Sequence, residues 1–314
     1  MIPPELSVVV PAYNEAANLP TLVRRLCAGM AAIGCVCEII VVDDGSTDAT
    51  AEVAEALAHE FPRLRLLRFS RNFGKEAALA AGMDAAIGRG VLFIDADLQH
   101  PPELAQDMVA AWRAGAQVVD AVKRRRGREP WYYRLCAALF NRGMSRALDF
   151  DMSGASDYKL LDRRVVHALL ACPERVRFFR GMVAWVGFER AVVEFDVADR
   201  HAGDSSWSPR ALLRYTLRNL LAFSSAPLYW VALTGFAMAV LSFVMLLQTL
   251  YVYLFGEAAV GFTTVIALQV VLGGMILGAL GVIAAYQALI YEEAKRRPAY
   301  VVADSAAGDP LRTP

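Results

Sequence analysis

Two long segments in the C-terminal third of the chain contain no charged residue. They span residues 228–255 and 262–291, and each exceeds the about 20 residues that a helix needs to cross a hydrocarbon core about 30 Å thick. Basic residues precede the first segment and follow the second, whereas the link between them has no Lys or Arg. By the positive-inside rule, this predicts a multi-pass protein of the inner (cytoplasmic) membrane, with two transmembrane helices within residues 227–292 and both termini in the cytosol.

The segments that flank these spans carry weaker signals. In residues 211–226, leucines and aromatic residues alternate with Arg214 and Arg218, which favours an amphipathic helix in the membrane interface; a core helix of the preceding domain is the alternative. Gly274 and Gly278 form a G-x-x-x-G pattern that favours packing of the two spans on each other, and contact between copies in a homo-oligomer is the alternative. We expect residues 293–314 to be a disordered cytosolic tail.

Residues 1–210 alternate short apolar runs with helical patterns, which is typical of a mostly parallel α/β sheet. We predict strands at 6–10, 38–42, 64–68, 91–94 and 116–121, helices at 16–30, 49–60 and 75–88, and further strands near Val183 and Val192. Ligands of such sheets bind beyond the carboxyl ends of the strands. The polar motifs of this chain fall at those ends, so we expect a cytosolic ligand-binding domain.

Composition excludes some classes of function. The 32 basic and 32 acidic residues balance, so no overall charge favours nucleic acid as a partner. The five cysteines lack paired ligand spacing, which is typical of reduced thiols in the cytosol. A Walker-type glycine loop is absent from the sequence, which argues against a nucleoside triphosphatase.

Carboxylates follow two of the predicted strands. Asp95 and Asp97 come directly after the apolar run 91–94, and a pair at such a place can hold one Mg²⁺ or Mn²⁺ together with substrate phosphates; a solvated turn is the alternative. Asp43 ends the second predicted strand, where a carboxylate can accept hydrogen bonds from a base imide or a ribose hydroxyl. Residues 46–48 also suit a helix cap, and both roles can hold together.

Four segments, in this order, carry a family resemblance: SVVVPAYNEAANLP, IIVVDDGSTDAT, RNFGKEAALAAGMDAA and FIDADLQHPPEL. They resemble the signatures of family 2 GT-A glycosyltransferases, and more narrowly those of the branch with dolichyl-phosphate mannose synthase and bacterial polyprenyl-phosphate glucosyltransferases. The resemblance covers residues 7–227, and the two spans are similar to those of the bacterial subgroup. It implies a GT-A, Rossmann-like sheet and the transfer of a sugar from a nucleotide sugar to a polyprenyl phosphate such as undecaprenyl phosphate.

The resemblance also implies roles for single residues. The nucleotide would be surrounded by Pro11, Tyr13, Glu15 and Asp43, the metal and diphosphate would be held by Asp95, Asp97 and Gln99, and Asp157 would lie near the sugar and the attacking phosphate. Residues 200–207 are similar to the family's Arg-x-x-Gly-x-Ser-Lys-aromatic loop over the donor diphosphate, with Arg200 and Ser205 matching. Ser206 stands where the family has a lysine, which leaves Arg200 as the cation of that loop.

The basic run 123–128 has several interpretations. A nucleic-acid patch, an anionic-membrane patch and a solvated face are alternatives, but a domain tethered to a bilayer favours a cradle for the acceptor phosphate, since arginine makes forked contacts with phosphate oxygens. We single out Arg124 and Arg128, followed by Arg134.

The implied reaction is an in-line displacement that inverts the anomeric carbon. The metal and Arg200 would stabilise the leaving diphosphate, and Asp157 would orient the acceptor or act as a base. UDP-glucose is the favoured donor, with UDP-N-acetylglucosamine, GDP-mannose and UDP-aminoarabinose derivatives open. A processive polysaccharide synthase is disfavoured, because the sequence lacks further spans and a Gln-x-x-Arg-Trp motif. A non-catalytic scaffold is the alternative of another class, and a flippase stays open as a protein partner.

Overall fold

One sheet organises the N-terminal part of the chain. The computed structural model describes residues 3–123, 156–172, 174, 178–195, 226–255 and 262–306. The chain divides into two units, the first made of residues 1–208 with 297–314 and the second of residues 209–296. The sheet lies in the first unit.

The strands of this sheet confirm a mostly parallel α/β fold. In chain order they are β1 Leu6–Ala12, β2 Cys37–Asp43, β3 Leu64–Phe69, β4 Gly90–Phe93, β5 Val118–Lys123, β6 Lys159–Asp162, β7 Arg190–Phe195 and β8 Val302–Ala306. Their spatial order is β7-β5-β6-β4-β1-β2-β3-β8. Of these described strands, only β6 and β8 run opposite to the others.

Helices cover the sheet and bury its faces. Those of the first unit are α1 Leu19–Ala32, α2 Thr50–Glu60, α3 Lys75–Ala85, α4 Leu104–Arg113, α5 Arg163–Leu170 and α6 Phe179–Trp185. Every residue of β1 is buried, as expected for a parallel strand that is covered on both faces. α3 approaches this strand closely at Gly82, where an added Cβ would lie 2.2 Å from Val9 Cγ1.

The structure differs from the sequence analysis at one predicted strand and at one strand that was not predicted. A strand near Val183 is wrong: Phe179, Met182 and Val183 are buried within helix α6, because their spacing places them on one face of a helix. The strand near Val192 is confirmed as β7. Strand β6 was not predicted, because its only apolar residues are Leu160 and Leu161, and this run is too short to show the alternation or the continuous apolar stretch of a strand.

The expected disorder of residues 293–314 is also wrong in part. β8 pairs antiparallel with β3, and the Ser70 amide donates a hydrogen bond to the Val301 carbonyl at 3.0 Å. The Ala, Gly and Pro content from residue 304 onward favours disorder, but a strand at a sheet edge gains ladder hydrogen bonds that composition does not reveal. The C-terminal segment therefore belongs to the same unit as the sheet.

The described part of the second unit consists of two long helices, α7 Ala226–Phe255 and α8 Phe262–Ala294. Within them, Pro227–Thr249 and Leu268–Ala294 have a mean hydropathy of 2.2 each. By length and composition, both helices could cross a membrane. Residues 211–225 of the predicted interfacial helix lie outside the described residues.

Candidate active site

The acidic strand ends meet at one edge of the sheet. β1 lies between β2 and β4 and runs parallel to both, with Ala12 opposite Asp43 and Val9 opposite Phe93. Their carboxyl ends therefore open at the same edge. β6 runs the other way, so Asp157, which precedes it, returns to that edge. We call this region the acidic edge, after its carboxylates Asp43, Asp95, Asp97 and Asp157.

Hydrogen bonds join the loops after β1 and β2 into one frame. The Asn14 amide donates to Ser46 Oγ at 2.9 Å, and the Thr47 amide donates to Asn14 Oδ1 at 2.9 Å. The Glu15 amide donates to Thr50 Oγ1 at 2.8 Å. Asn14 has a left-handed backbone, with φ 58°, a conformation that asparagine tolerates well. The frame leaves Tyr13 45% exposed beside it, where its ring is open to a ligand.

Asp43 is fully buried, and one of its two carboxylate oxygens has no hydrogen-bond partner in the described part of the chain. Its side chain is 0% exposed, and Oδ1 accepts a hydrogen bond from the Ser46 amide at 2.9 Å. Oδ2 has no hydrogen-bond partner among the described residues, and Arg68 Nε lies 3.6 Å from it. A buried acceptor without a hydrogen bond is costly unless a ligand supplies the donor. Asp43 therefore suits a hydroxyl or imide donor.

The neighbouring Asp44 holds the loop that follows β3. It accepts hydrogen bonds from the Phe73 amide at 2.6 Å and from the Gly74 amide at 2.9 Å. Burial raises the pKa of Asp44, and these two amides oppose that rise. The contacts fix the start of α3, whose first residue is Lys75.

The predicted metal ligands Asp95, Asp97 and Gln99 lie in the loop after β4, near Glu15 of the loop after β1. Asp97 Oδ1 accepts a hydrogen bond from the Gln99 amide at 3.1 Å. Burial raises the pKa of Glu15, and the charges of Asp97 and Asp95 raise it further. In the described part of the chain, no three His, Cys, Asp or Glu side chains are arranged to hold a metal by themselves. The oxygens fit a hard divalent cation whose other ligands come from a bound molecule.

Lys75 links this acidic edge to Asp157. Its Nζ lies 2.6 Å from Asp95 Oδ1 and 2.6 Å from Asp157 Oδ2. On the other side of Asp157, Arg180 donates from Nε to Oδ1 at 2.5 Å and from a terminal nitrogen to Oδ2 at 2.8 Å. Lys75 therefore bridges two acids from different parts of the chain, and Arg180 binds Asp157 from the other side.

The charges in this cluster keep Asp157 ionised. Burial by itself would raise the pKa of Asp157, but the charges of Lys75 and Arg180 and their hydrogen bonds hold it well below its usual range. Burial likewise opposes the charge of Lys75, yet Asp95 and Asp157 raise the pKa of its ammonium above the usual range. At neutral pH, Asp157 is thus a carboxylate and Lys75 a cation.

The structure brings most of the predicted site residues to one edge and leaves others undescribed. At or beside the strand ends lie Pro11, Tyr13, Glu15, Asp43, Asp95, Asp97, Gln99 and Asp157. Outside the described residues lie Arg124, Arg128, Arg134, Arg200 and Ser205. Sequence reasoning missed Lys75 and Arg180. Lys75 stands in the segment RNFGKEAAL and could have been found there, whereas Arg180 carries no local signal.

A family model identifies the protein family of this chain. The model described as glycosyl transferase family 2 matches residues 7–169, which includes β1 to β4, both predicted acidic motifs and Asp157. The chain belongs to glycosyl transferase family 2. It is accordingly a glycosyltransferase, and the four segments identified in the sequence lie within the matched range.

Relatives extend the similarity to the whole length of this glycosyltransferase. A bactoprenol glucosyl transferase of Shigella flexneri, derived from prophage SfII, is 34% identical over 318 residues, covering 98% of this chain and 100% of the relative. An uncharacterized glycosyltransferase of Synechocystis sp. is 37% identical over 305 residues, covering 96% and 95%. These alignments include the two apolar helices.

A solved structure supports the fold. The glucosyl-3-phosphoglycerate synthase of Mycobacterium tuberculosis, determined with Mn²⁺, UDP and phosphoglyceric acid, matches with a TM-score of 0.52 at 22% identity, covering 70% of this chain and 78% of that one. The predicted GT-A fold is confirmed.

Proposed function

We propose that this glycosyltransferase moves a sugar from a nucleotide sugar to a polyprenyl phosphate, such as undecaprenyl phosphate, at the surface of a membrane. The shared position of Asp43, Asp95 and Asp157 at one edge of the sheet carries the proposal. Asp43 has a buried oxygen with no hydrogen-bond partner among the described residues, Asp95 is the predicted metal ligand, and Asp157 is an acid kept ionised by two cations. Full-length similarity to relatives named bactoprenol glucosyl transferase supports the acceptor class.

The donor half of the site is assigned to the loops after β1, β2 and β4. Asp43 would accept a hydrogen bond from the base or ribose, since its buried Oδ2 has no hydrogen-bond partner among the described residues. Tyr13 lies in the neighbouring loop after β1. Asp95, Asp97 and Gln99 would hold Mg²⁺ or Mn²⁺. When bound, such a cation stabilises the negative charge that develops on the leaving nucleoside diphosphate. Pro11 and Glu15 complete this half, and Arg200 and Ser205 would cover the diphosphate.

The acceptor half is assigned to Asp157 and the basic run. A phosphate monoester has a second pKa near about 6 and is largely dianionic at neutral pH, so the attacking oxygen needs no base. Asp157 is already paired with two cations and is a weak proton acceptor. Its role is to orient the acceptor, and Arg124, Arg128 and Arg134 would bind the acceptor phosphate. A single displacement in this arrangement inverts the anomeric carbon.

The membrane half of the proposal rests on helices α7 and α8. Both are long and apolar enough to span a bilayer, and the flanking basic residues favour cytosolic termini. A catalytic domain on the cytosolic side would meet both a nucleotide sugar from the cytosol and a phosphate at the membrane surface. UDP-glucose is our preferred donor, because several relatives are named bactoprenol glucosyl transferase.

The experiment is a transfer assay with the purified full-length protein. Undecaprenyl phosphate in detergent is incubated with Mn²⁺ and, in separate reactions, with radiolabelled UDP-glucose, UDP-N-acetylglucosamine and GDP-mannose. We expect one donor to give an organic-extractable labelled lipid and Asp97→Asn to lose most of this turnover at saturating Mn²⁺. Labelled lipid from none of the donors would contradict the acceptor assignment, and wild-type turnover in Asp97→Asn would contradict the metal assignment.

A further inference from the structure

Lys75 contacts an oxygen that the proposed metal site also needs. Its Nζ lies 2.6 Å from Asp95 Oδ1, and Asp95 is one of the two carboxylates assigned to the divalent cation. An ammonium at this distance competes with a metal ion for the carboxylate, because the two cations repel each other at close range. The Lys75 contact therefore opposes metal binding at Asp95.

The charges of the cluster are balanced before any metal arrives. Asp95 and Asp157 supply two negative charges, and Lys75 and Arg180 supply two positive charges. Among these four residues, a divalent cation would find the negative charge of Asp95 already neutralised, so that Asp97 alone of the two assigned carboxylates would be without a contacting cation in the described contacts. If Lys75 leaves Asp95, that carboxylate becomes available to the metal with its full charge.

The geometry shows which contact Lys75 can give up. Asp157 is held by Arg180 through two hydrogen bonds of 2.5 and 2.8 Å, so its position does not depend on Lys75 alone. The Lys75 side chain is 42% exposed, whereas those of Asp95 and Asp157 are 21% and 11% exposed. Lys75 is thus the most exposed of these three side chains. Its long, flexible side chain allows the ammonium to keep its contact with Asp157 while it releases Asp95 to a metal ion.

We infer that Lys75 is a built-in cation for Asp95 that yields to the donor-bound metal and remains with Asp157. This inference rests on the proposed function, because it takes Asp95 as a metal ligand. Lys75 is a positioning residue: it neutralises the metal site in the donor-free protein and links the arrival of donor and metal to the acceptor side through Asp157. Metal alone binds weakly, and metal with a diphosphate, which brings its own oxygens and negative charge, binds well.

The test measures Mn²⁺ binding to the full-length protein without nucleotide. Free Mn²⁺ is followed by its electron paramagnetic resonance signal during titration of wild type, Lys75→Met and Lys75→Arg. We expect Lys75→Met to lower the Kd for Mn²⁺ by roughly tenfold, because a competing charge at contact distance is removed. Lys75→Arg keeps the charge and should stay within about twofold of wild type. Lys75→Gln replaces the Met variant if that protein does not fold.

Two controls separate this inference from simpler explanations. Arg71→Met removes an exposed cation from the same loop, one that lies over the Phe73 ring at 4.2 Å, and should leave the Kd unchanged. Asp97→Asn should weaken Mn²⁺ binding in both the wild-type and the Lys75→Met background.

The outcomes distinguish the role of Lys75 from the metal site. If the Kd for Mn²⁺ is unchanged or higher in Lys75→Met while Asp97→Asn still weakens binding, the role of Lys75 is overturned and the metal site is retained. Binding that ignores Asp97→Asn overturns the metal site itself.

Discussion

The Tyr300 ring stacks on Phe69, with ring centroids 5.1 Å apart and planes 14° from parallel. Tyr300 directly precedes the segment that pairs with β3, and its hydroxyl lies 3.1 Å from Asp84 Oδ2 on α3. Phe69 in turn meets Phe73 edge to face at 5.7 Å. The C-terminal segment therefore reaches, through two aromatic contacts, the loop that positions Lys75.

This relationship predicts that Tyr300 stabilises the sheet and the loop after β3. Tyr300→Ala should lower the free energy of unfolding of the catalytic unit by about 1–2 kcal/mol, because an aromatic pair and its buried area are lost. The KM for the nucleotide sugar should rise as well, since Phe73 loses support. Thermal unfolding of the purified protein and steady-state kinetics measure the two effects.

Tyr300→Phe is the matched control for this prediction. It keeps the ring on Phe69 and removes the hydroxyl that contacts the exposed Asp84, so the free energy of unfolding should change by less than about 0.5 kcal/mol. Equal unfolding temperatures for the Ala variant and the wild type would show that the C-terminal segment does not stabilise the sheet.

The apolar pattern of the sequence predicted the central strands, whereas β6 and β8 depend on pairing with strands that are distant in the chain. Parallel strands buried on both faces form apolar runs such as residues 39–42, and these are visible in a sequence. β6 and β8 are short, and each is stabilised by a partner far away along the chain. Val183 lies in an apolar segment of a length that fits a strand or a helix, and packing selected the helix.

The same division applies to the candidate site. Asp43, Asp95 and Asp97 could be predicted because each follows or ends a visible apolar run. Lys75 lies 82 positions from Asp157 in the chain, and Arg180 contacts Asp157 from helix α6. Neither contact is encoded in a local motif, so a single sequence reveals the acids of the site more readily than the bases that pair with them.

Asp43 should contribute to donor affinity more than to turnover. In Asp43→Asn, we expect the KM for the nucleotide sugar to rise about ten- to a hundredfold, because a hydrogen bond to a charged acceptor contributes about 1.5–3 kcal/mol. The kcat should change less, since Asp43 lies at the nucleotide and not at the reacting carbon. Asp48→Asn is the matched control, because that exposed carboxylate accepts hydrogen bonds only from the protein in the described contacts. A similar KM for both variants would contradict the assignment of Asp43.

Glu76 should make stability depend on pH near neutrality. Burial raises the pKa of Glu76 to about 7, and the charge of Asp157 adds to this, while the Phe179 amide, Lys75 and Arg180 oppose it. The folded state thus retains a proton on Glu76 that the unfolded state has already released. This group therefore favours folding fully below about pH 4.5, and its contribution is lost as the pH rises to about 7.

The Glu76→Gln variant tests this sign. Glutamine keeps an acceptor for the Phe179 amide and does not titrate. Relative to this variant, the wild type should lose stability on the order of 3 kcal/mol between pH 5 and pH 8, measured by chemical unfolding across that range. A difference between the two proteins that stays constant with pH would mean that Glu76 is ionised in the folded state at pH 5.

Gly45 should be required for the close approach of the loops after β2 and β3. Its backbone is left-handed, with φ +66°, and an added Cβ would lie 2.4 Å from the Arg71 carbonyl carbon and 2.6 Å from the Asn72 amide nitrogen. Both atoms belong to the backbone, so they cannot turn aside as a flexible side chain could. Gly45→Ala should therefore push residues 71–74 away from Asp44, lower the unfolding temperature and raise the KM for the nucleotide sugar.

Gly34→Ala separates the steric effect from the conformational one. Gly34 has nearly the same backbone, with φ +63°, but an added Cβ would meet no atom within 4 Å. Its substitution should cost only the about 1–2 kcal/mol of a left-handed alanine and leave the KM unchanged, because Gly34 lies between α1 and β2, away from the acidic edge. Equal losses of stability in the two variants, with equal KM values, would show that the loop after β3 moves aside freely and does not depend on Gly45.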